Sequence, residues 1–168
     1  MIDFKTLLKE HGPRLIELAS GITGSRSEAE DVVQEALLTA YRSRKRFRGD
    51  AAPATWVRRI VVNKAIDVRR RKRVIRQQST EMDLMPRDDP EPATIAAGTE
   101  RAAAVRQAVD ALPEDQRVAL MLKEFGGLTS REVAEQLGIP QGTVESRVIR
   151  ARAHLREVLR SHLGEQDG

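Results

Sequence analysis

The side chains of this sequence that are suited to chemistry are cations and amides, not the groups that break covalent bonds. Arg69, Arg70, Arg71, Lys72 and Arg73 form a run of five contiguous positive charges. Such charges repel one another unless something anionic compensates them. On the same predicted helix Trp56, Ile60, Asn63 and Asp67 recur at i, i+4, i+7 and i+11, along one line. Asparagine can bond bidentately to adenine, and arginines beside it can hold phosphates. The plainer reading makes Trp56 a core residue and the basic run a solvated helix end, which the helix dipole favours. A second concentration lies near the C-terminus, where Ser146, Arg147, Arg150 and, further round, Arg156 leave an apolar helical face. The catalytic inventory is poor by comparison. His11, His154 and His162 match no zinc-ligand or general-base spacing, and Gly21-Ile22-Thr23-Gly24-Ser25 lacks the Gly-Lys-Ser/Thr end of a phosphate loop. Neither Gly-x-Ser-x-Gly nor Gly-x-Gly-x-x-Gly occurs. Asp88, Asp89 and Glu91 could chelate Mg²⁺ only weakly from a proline-broken stretch. The residues therefore predict a binding protein with no enzyme activity, no cofactor, no metal site and no small-molecule substrate.

Composition narrows what can position these groups. Only Phe4, Tyr41, Phe47, Trp56 and Phe125 are aromatic, so the core must be built from Leu, Ile, Val and Ala. No period-2 run of β-branched residues bounded by turn signals appears, so the chain is expected to be all-α. Without cysteine there are no disulfides and no thiolate metal sites. No apolar run approaches the roughly 20 residues that span a bilayer, and Met1-Ile2-Asp3-Phe4-Lys5 lacks a signal-peptide layout. Cytoplasmic location without membrane insertion is the expectation. The net charge of +4 conceals an uneven distribution. Residues 1–78 hold 18 Lys/Arg against 9 Asp/Glu, residues 79–98 hold 1 against 5, and residues 99–168 hold 10 against 11. Two small helical domains, 1–78 and 99–168, joined by an extended acidic linker over 79–98, fit this pattern. Pro86, Pro90 and Pro92 fall within that linker.

In the first domain, Phe4, Leu7, Leu8, Leu15, Leu18 and Ala19 predict a helix bent or interrupted at Gly12-Pro13 and stopped at Thr23-Gly24. Ser27-Glu28-Ala29-Glu30 reads as a capping box opening a second helix. Ala29, Val32, Val33, Ala36, Leu37, Ala40 and Tyr41 should be its core side. Its opposite side carries Asp31, Gln34, Glu35 and Leu38, an acidic patch with one leucine. That patch is either a docking surface or a solvated face with a stray apolar residue, and the residues alone favour the latter. Pro53 opens a third helix that runs to about Arg76.

In the second domain, Ala102, Val105, Val109 and Leu112 form one helical stripe. Pro113 starts another helix, in which Val118, Ala119, Leu122 and Phe125 face inward, ended by Gly126-Gly127. Thr129-Ser130-Arg131-Glu132 is a capping box, Gly138 can end the helix it opens, and Pro140 cannot continue one. Val144, Val148, Ala151 and Leu155 then share a face of a following helix. Two helices about a short glycine turn make a helix-turn-helix, whose second helix lies in the major groove. An ordinary helical hairpin has the same spacing. The tail from Gly164 to Gly168 is expected to fray.

Three stretches together resemble the bacterial sigma-70 family, and within it the small two-domain extracytoplasmic-function group. They are AEDVVQEALLTAYR (Ala29–Arg42), ATWVRRIVVNKAIDVRRRKR (Ala54–Arg73) and ALPEDQRVALMLKEFGGLTSREVAEQLGIPQGTVESRVIRARAHLRE (Ala111–Glu157). They follow the family's order of region 2, linker and region 4, and cover nearly the whole chain. The resemblance implies a sigma factor that binds core RNA polymerase and directs it to promoter DNA. It implies docking through Asp31, Gln34, Glu35 and Leu38, so that here the docking reading prevails. It implies reading of the −10 element by the loop from Arg48 to Pro53 and by Trp56, Arg59, Asn63, Lys64, Asp67, Arg70 and Arg71, with a flipped non-template base as target. Reading of the −35 element falls to Thr143, Ser146, Arg147 and Arg150, with Lys123 and Arg131 on phosphates. The linker resembles the segment that threads toward the polymerase active centre. An anti-sigma factor is a usual partner in the group.

One departure stands out. Many relatives carry Lys or Arg after the Gly-Thr-Val of the second helix, where this chain has Glu145. A carboxylate is repelled by phosphates but accepts a hydrogen bond from cytosine N4. Glu145 is therefore expected either to read a cytosine or to turn toward a neighbouring arginine. A free-standing helix-turn-helix regulator is the competing reading, and it predicts salt-sensitive binding to duplex DNA by the chain alone.

Overall fold

The computed structural model describes residues 1–78 and 100–164, and among these the chain is helical with no strand. It divides into two compact units, Met1–Glu91 and Pro92–Gly168. The expected linker over 79–98 and the last four residues of the tail lie outside the described residues.

The first unit packs three helices against one another: α1 (Phe4–Thr23), α2 (Arg26–Ser43) and α3 (Pro53–Gln78). Asp3 caps α1, accepting the N–H groups of Lys5 and Thr6 at 3.1 and 3.2 Å and the Thr6 hydroxyl at 2.6 Å. The bonds from Thr6, above all that from its hydroxyl, hold the Asp3 carboxyl below its usual range. α1 is not interrupted at Gly12-Pro13; Pro13 lies inside a helix that continues to Thr23. Gly24 ends it at φ 78°, with its N–H on the Ser20 carbonyl at 2.8 Å.

The cap of α2 is Ser25 and not Ser27. Ser25 has the extended backbone a cap requires, and its hydroxyl accepts the Glu28 N–H at 3.4 Å, whereas Ser27 is already helical. Both serines precede a glutamate by three residues, so the motif alone could not choose between them. The core side of α2 is Ala29, Val32, Val33, Ala36 and Ala40. Tyr41 does not join it. At the end of α2 the ring is 53% exposed, meets Phe4 edge-on at 5.6 Å and carries the Arg44 guanidinium over its face at 4.2 Å. A 3₁₀ turn, Arg44–Arg46, and a left-handed Gly49 (φ 79°) lead to α3. There Val57, Val61, Val62, Ala65 and Ile66 are buried. Each buried valine or isoleucine stabilises the bundle by about 1.5–3 kcal/mol, and the Ala65 methyl by about 0.8 kcal/mol.

In the second unit α4 (Glu100–Asp110), α5 (Glu114–Leu120) and α6 (Ser130–Leu137) all pack on the long α7 (Gln141–Gly164). Val109, Leu112, Val118, Leu122, Val133, Val144, Val148 and Ala151 form its core. α5 runs on as a π turn, Met121–Phe125, closed by the Gly126 N–H on the Met121 carbonyl at 2.8 Å. The wider turn rotates whatever follows it off α-helical register. Phe125, expected inside on the line of Val118 and Leu122, is therefore 52% exposed. Gly126 is required here, because a Cβ would stand 2.6 Å from the Leu122 carbonyl oxygen.

The helix-turn-helix forms as its local signals predict. Thr129 and Glu132 complete a reciprocal capping box, at 3.2 Å (Glu132 N–H to Thr129 hydroxyl) and 2.7 Å (Thr129 N–H to Glu132 carboxylate). Gly138 ends α6 at φ 65°, and α7 starts immediately after Pro140. Burial raises the Asp110 carboxyl above its usual range, against the opposing pull of Arg117 and Arg106.

Candidate nucleic-acid interface

On α2 the sequence spacing i, i+3, i+4, i+7 sets Asp31, Gln34, Glu35 and Leu38 on one exposed face, opposite the alanines and valines of the core. Leu38 is 50% exposed. Glu35 does not stand alone: its carboxylate lies 3.8 Å from the ammonium of Lys64 on α3. A residue of the expected docking set and one of the expected −10 set are thus paired across two helices.

The face of α3 opposite its core is the one with the amide and the cations. Arg59, Asn63, Asp67 and Arg70 are exposed along it, and Arg70 lies 3.9 Å from Asp67. Trp56 is half-buried, with its ring 5.3 Å from that of Phe47 at 46°, so it belongs neither wholly to the core nor wholly to solvent. Arg71 is exposed and Lys64 half-buried. The segment before α3 adds exposed Arg46 and Arg48, which flank Phe47 in sequence. Cations beside aromatic faces are what a strand with unstacked bases needs, since bases stack on the rings while cations follow the phosphates. The basic run is not uniform, however: Lys72 turns inward.

In the second unit the exposed residues of the first turns of α7 include Gln141, Glu145 and Arg150, with Thr143, Ser146 and Arg147 half-buried between them. Ser146 donates its hydroxyl proton to the Thr143 carbonyl at 3.0 Å, leaving the oxygen as an acceptor. Arg147 sits 3.5 Å from Asp115 of α5, its side chain 22% exposed. Glu145 does not find the arginine expected as one of its two fates: its carboxylate accepts the Gln141 side-chain N–H at 3.1 Å, one helical turn earlier. Arg131 is 81% exposed and pairs with Glu135 at 3.2 Å, while Lys123 is half-buried in the π turn. The residues expected at the −10 element and those expected at the −35 element lie in different units.

Three partners escaped the sequence reading. Asp115, Gln141 and Glu28 were not singled out, yet they hold Arg147, Glu145 and Lys72. Gln141 precedes Glu145 by four residues and was legible from spacing. Asp115 and Glu28 act across the fold, where no local pattern points. Among the described residues no group of three or more His, Cys, Asp or Glu is placed to hold a metal, and no helix is long and apolar enough to cross a membrane.

Comparison with known proteins identifies the family. The family models for Sigma-70 region 2 and Sigma-70, region 4 match residues 7–74 and 102–155. The ECF RNA polymerase sigma factor SigE of Mycolicibacterium smegmatis is 33% identical over 98% of this chain, which spans 65% of that relative's length. SigM of Mycobacterium tuberculosis is 36% identical over 93% of this chain, which spans 76% of that protein. Among solved structures, the sigma factor RpoE of Bartonella quintana, determined in complex with the anti-sigma factor NepR, matches with a TM-score of 0.61 at 28% identity. That match covers 94% of this chain and 97% of that one. With helical units matching regions 2 and 4 and relatives aligned over nearly its full length, the chain belongs to the extracytoplasmic-function group of the sigma-70 family of RNA polymerase sigma factors.

Proposed function

We propose that the chain binds core RNA polymerase and confers promoter specificity on it, with the labour divided between its two units. The first unit, through its described residues 1–78, docks on polymerase using Asp31, Gln34, Glu35 and Leu38. The same unit reads and opens the −10 element with Trp56, Arg59, Asn63, Lys64, Asp67, Arg70 and Arg71. The second unit reads the −35 element through Thr143, Glu145, Ser146, Arg147 and Arg150, with Lys123 and Arg131 on phosphates. The observation that carries this reading is the pair of exposed faces in unit 1. An acidic face with a leucine on α2 and an amide-and-cation face on α3 share one small bundle and are joined by Glu35 and Lys64. A regulator acting alone has no need of the first face.

Opening rests on binding and not on covalent chemistry. An extruded base costs a few kcal/mol, offset where stacking surfaces and cations receive it. The chain's own part is to position Asn63 and the rings of Phe47 and Trp56; bond formation belongs to the polymerase. Arg147, braced by Asp115, presents its donors from a fixed direction, which suits base-edge reading better than a mobile side chain does. Glu145 keeps an acceptor oxygen beyond its bond to Gln141, which suits a cytosine N4 donor. By analogy with the Bartonella protein, which was determined in complex with an anti-sigma factor, this chain is bound and controlled by an anti-sigma factor in the cytoplasm.

Sequencing the 5′ ends of transcripts made by core polymerase on fragmented genomic DNA, with and without the chain, tests this function. The expected outcome is a discrete set of new start sites preceded by common −35 and −10 sequences. An identical transcript set with and without the chain would refute it.

A further inference from the structure

We propose that Lys72, although it sits in the middle of the basic run, is not a DNA contact but a positioning residue. With Glu28 and Thr23 it pins the basic end of α3 to the α1–α2 turn and so fixes the direction in which the opposite face of α3 points. The proposal rests on the reading of that face as the −10 reader.

The sequence places Lys72 on the core seam. Val57, Val61 and Ala65 are buried, Val68 is half-buried, and Lys72 follows four residues later on the same side. At 3.6 residues per turn Lys72 points about 180° away from Asn63 and about 160° away from Arg70. A cation at the end of an apolar seam needs polar partners, and the α1–α2 turn supplies them. The ammonium donates to the Thr23 carbonyl at 3.2 Å, across 49 residues of sequence, and pairs with the Glu28 carboxylate. Thr23 is the last residue of α1 and Glu28 lies in the first turn of α2. The ammonium thus meets the negative end of one helix dipole and the carboxylate the positive end of another.

The turn closes on itself. The Glu28 N–H bonds the Ser25 hydroxyl at 3.4 Å, and the Ser25 N–H bonds the Thr23 hydroxyl at 3.3 Å. The Thr23 hydroxyl in turn donates to the Ser25 carbonyl at 3.0 Å. Thr23 is buried, and both charged side chains are about two-thirds covered, at 31% and 34% exposure. Removing either charge leaves the other partly buried without its partner. The network orients what lies across the helix: with Lys72 held at the turn, Arg70 and Arg71 are exposed.

Salt dependence separates a phosphate contact from a positioning residue. Each phosphate neutralised on a single strand contributes about 0.7 to the slope of log K against log salt. Holoenzyme assembled from core polymerase and the full chain is titrated with a labelled single strand carrying the −10 sequence. Wild type, Lys72→Met, Glu28→Gln and Arg71→Gln are compared well below the melting midpoint of each variant, so that lost stability alone does not register. Arg71→Gln weakens binding and lowers the slope by about 0.7. Lys72→Met and Glu28→Gln weaken it at least several-fold with the slope unchanged, and Lys72→Arg restores most of the loss. A slope change in Lys72→Met equal to that of Arg71→Gln would make Lys72 a phosphate contact and overturn the proposal. Wild-type affinity in Glu28→Gln would overturn it as well, independently of whether Lys72→Met folds. If Arg71→Gln changes neither affinity nor slope, the −10 reading itself fails, a result distinct from the other two.

Discussion

Reversing Glu35 separates docking from folding. In the free chain its carboxylate lies 3.8 Å from the Lys64 ammonium, and its side chain is 70% exposed. At about 4 Å a unit charge pair is worth about 1 kcal/mol in bulk water and more only where water is excluded. Exposed pairs measured by double-mutant cycles give about 0.2–1 kcal/mol. Glu35→Lys therefore costs the fold no more than about 1–2 kcal/mol, even allowing for the repulsion it introduces. For a domain of this size about 1 kcal/mol lowers the melting midpoint by about 4–8 °C. Juxtaposing like charges across an interface costs several kcal/mol, and about 3 kcal/mol is more than a hundredfold in affinity. Circular dichroism melting of the chain and a fluorescence titration with core polymerase, run on the same preparation, read the two effects. The expected result is a modest midpoint shift with core affinity reduced at least a hundredfold. Core affinity within a few-fold of wild type would refute the assignment of this face. A collapsed melting transition would refute the reasoning about the pair.

Three further changes probe the second unit. Val144→Ala removes two methyl groups from a fully buried position and should cost about 2 kcal/mol plus any cavity left behind, read as a lowered melting midpoint. Gly126→Ala forces a Cβ to within 2.6 Å of the Leu122 carbonyl, so the π turn must shift; a midpoint equal to wild type would show that the turn is not constrained. Asp110→Asn removes a carboxylate that burial disfavours. Because the folded state holds its proton more tightly than the unfolded one, stability from this group grows as pH falls through its titration range and is lost as pH rises above it. The asparagine variant should therefore melt higher than wild type at pH 7, with the difference shrinking toward pH 4.

The helix-turn-helix was legible because each of its signals is local. Thr129 and Glu132 cap within three residues, and Gly138 and Pro140 punctuate within three more. The start of α2 shows the limit of such signals, since Ser25 and Ser27 offer the same motif and only the backbone chooses. Tyr41 and Phe125 show another: periodicity assigns a side, not whether a neighbour is there to cover it or a π turn has rotated it away. The candidate site was legible as residue types and faces. Its charge pairing was not, because Lys72–Glu28, Lys64–Glu35 and Arg147–Asp115 join positions far apart in sequence. Of these, only Lys72–Glu28 acts on the basic run, where it turns one cation inward.

On the proposed function, promoter reading belongs to the complex of this chain with core polymerase and not to the chain alone. Binding to one duplex promoter fragment, recovered from the transcript mapping, is measured at physiological salt with the chain alone and with the chain plus core polymerase. Sequence-specific binding is expected only in the second case. Equally tight and specific binding by the chain alone would contradict it and point to a free-standing regulator.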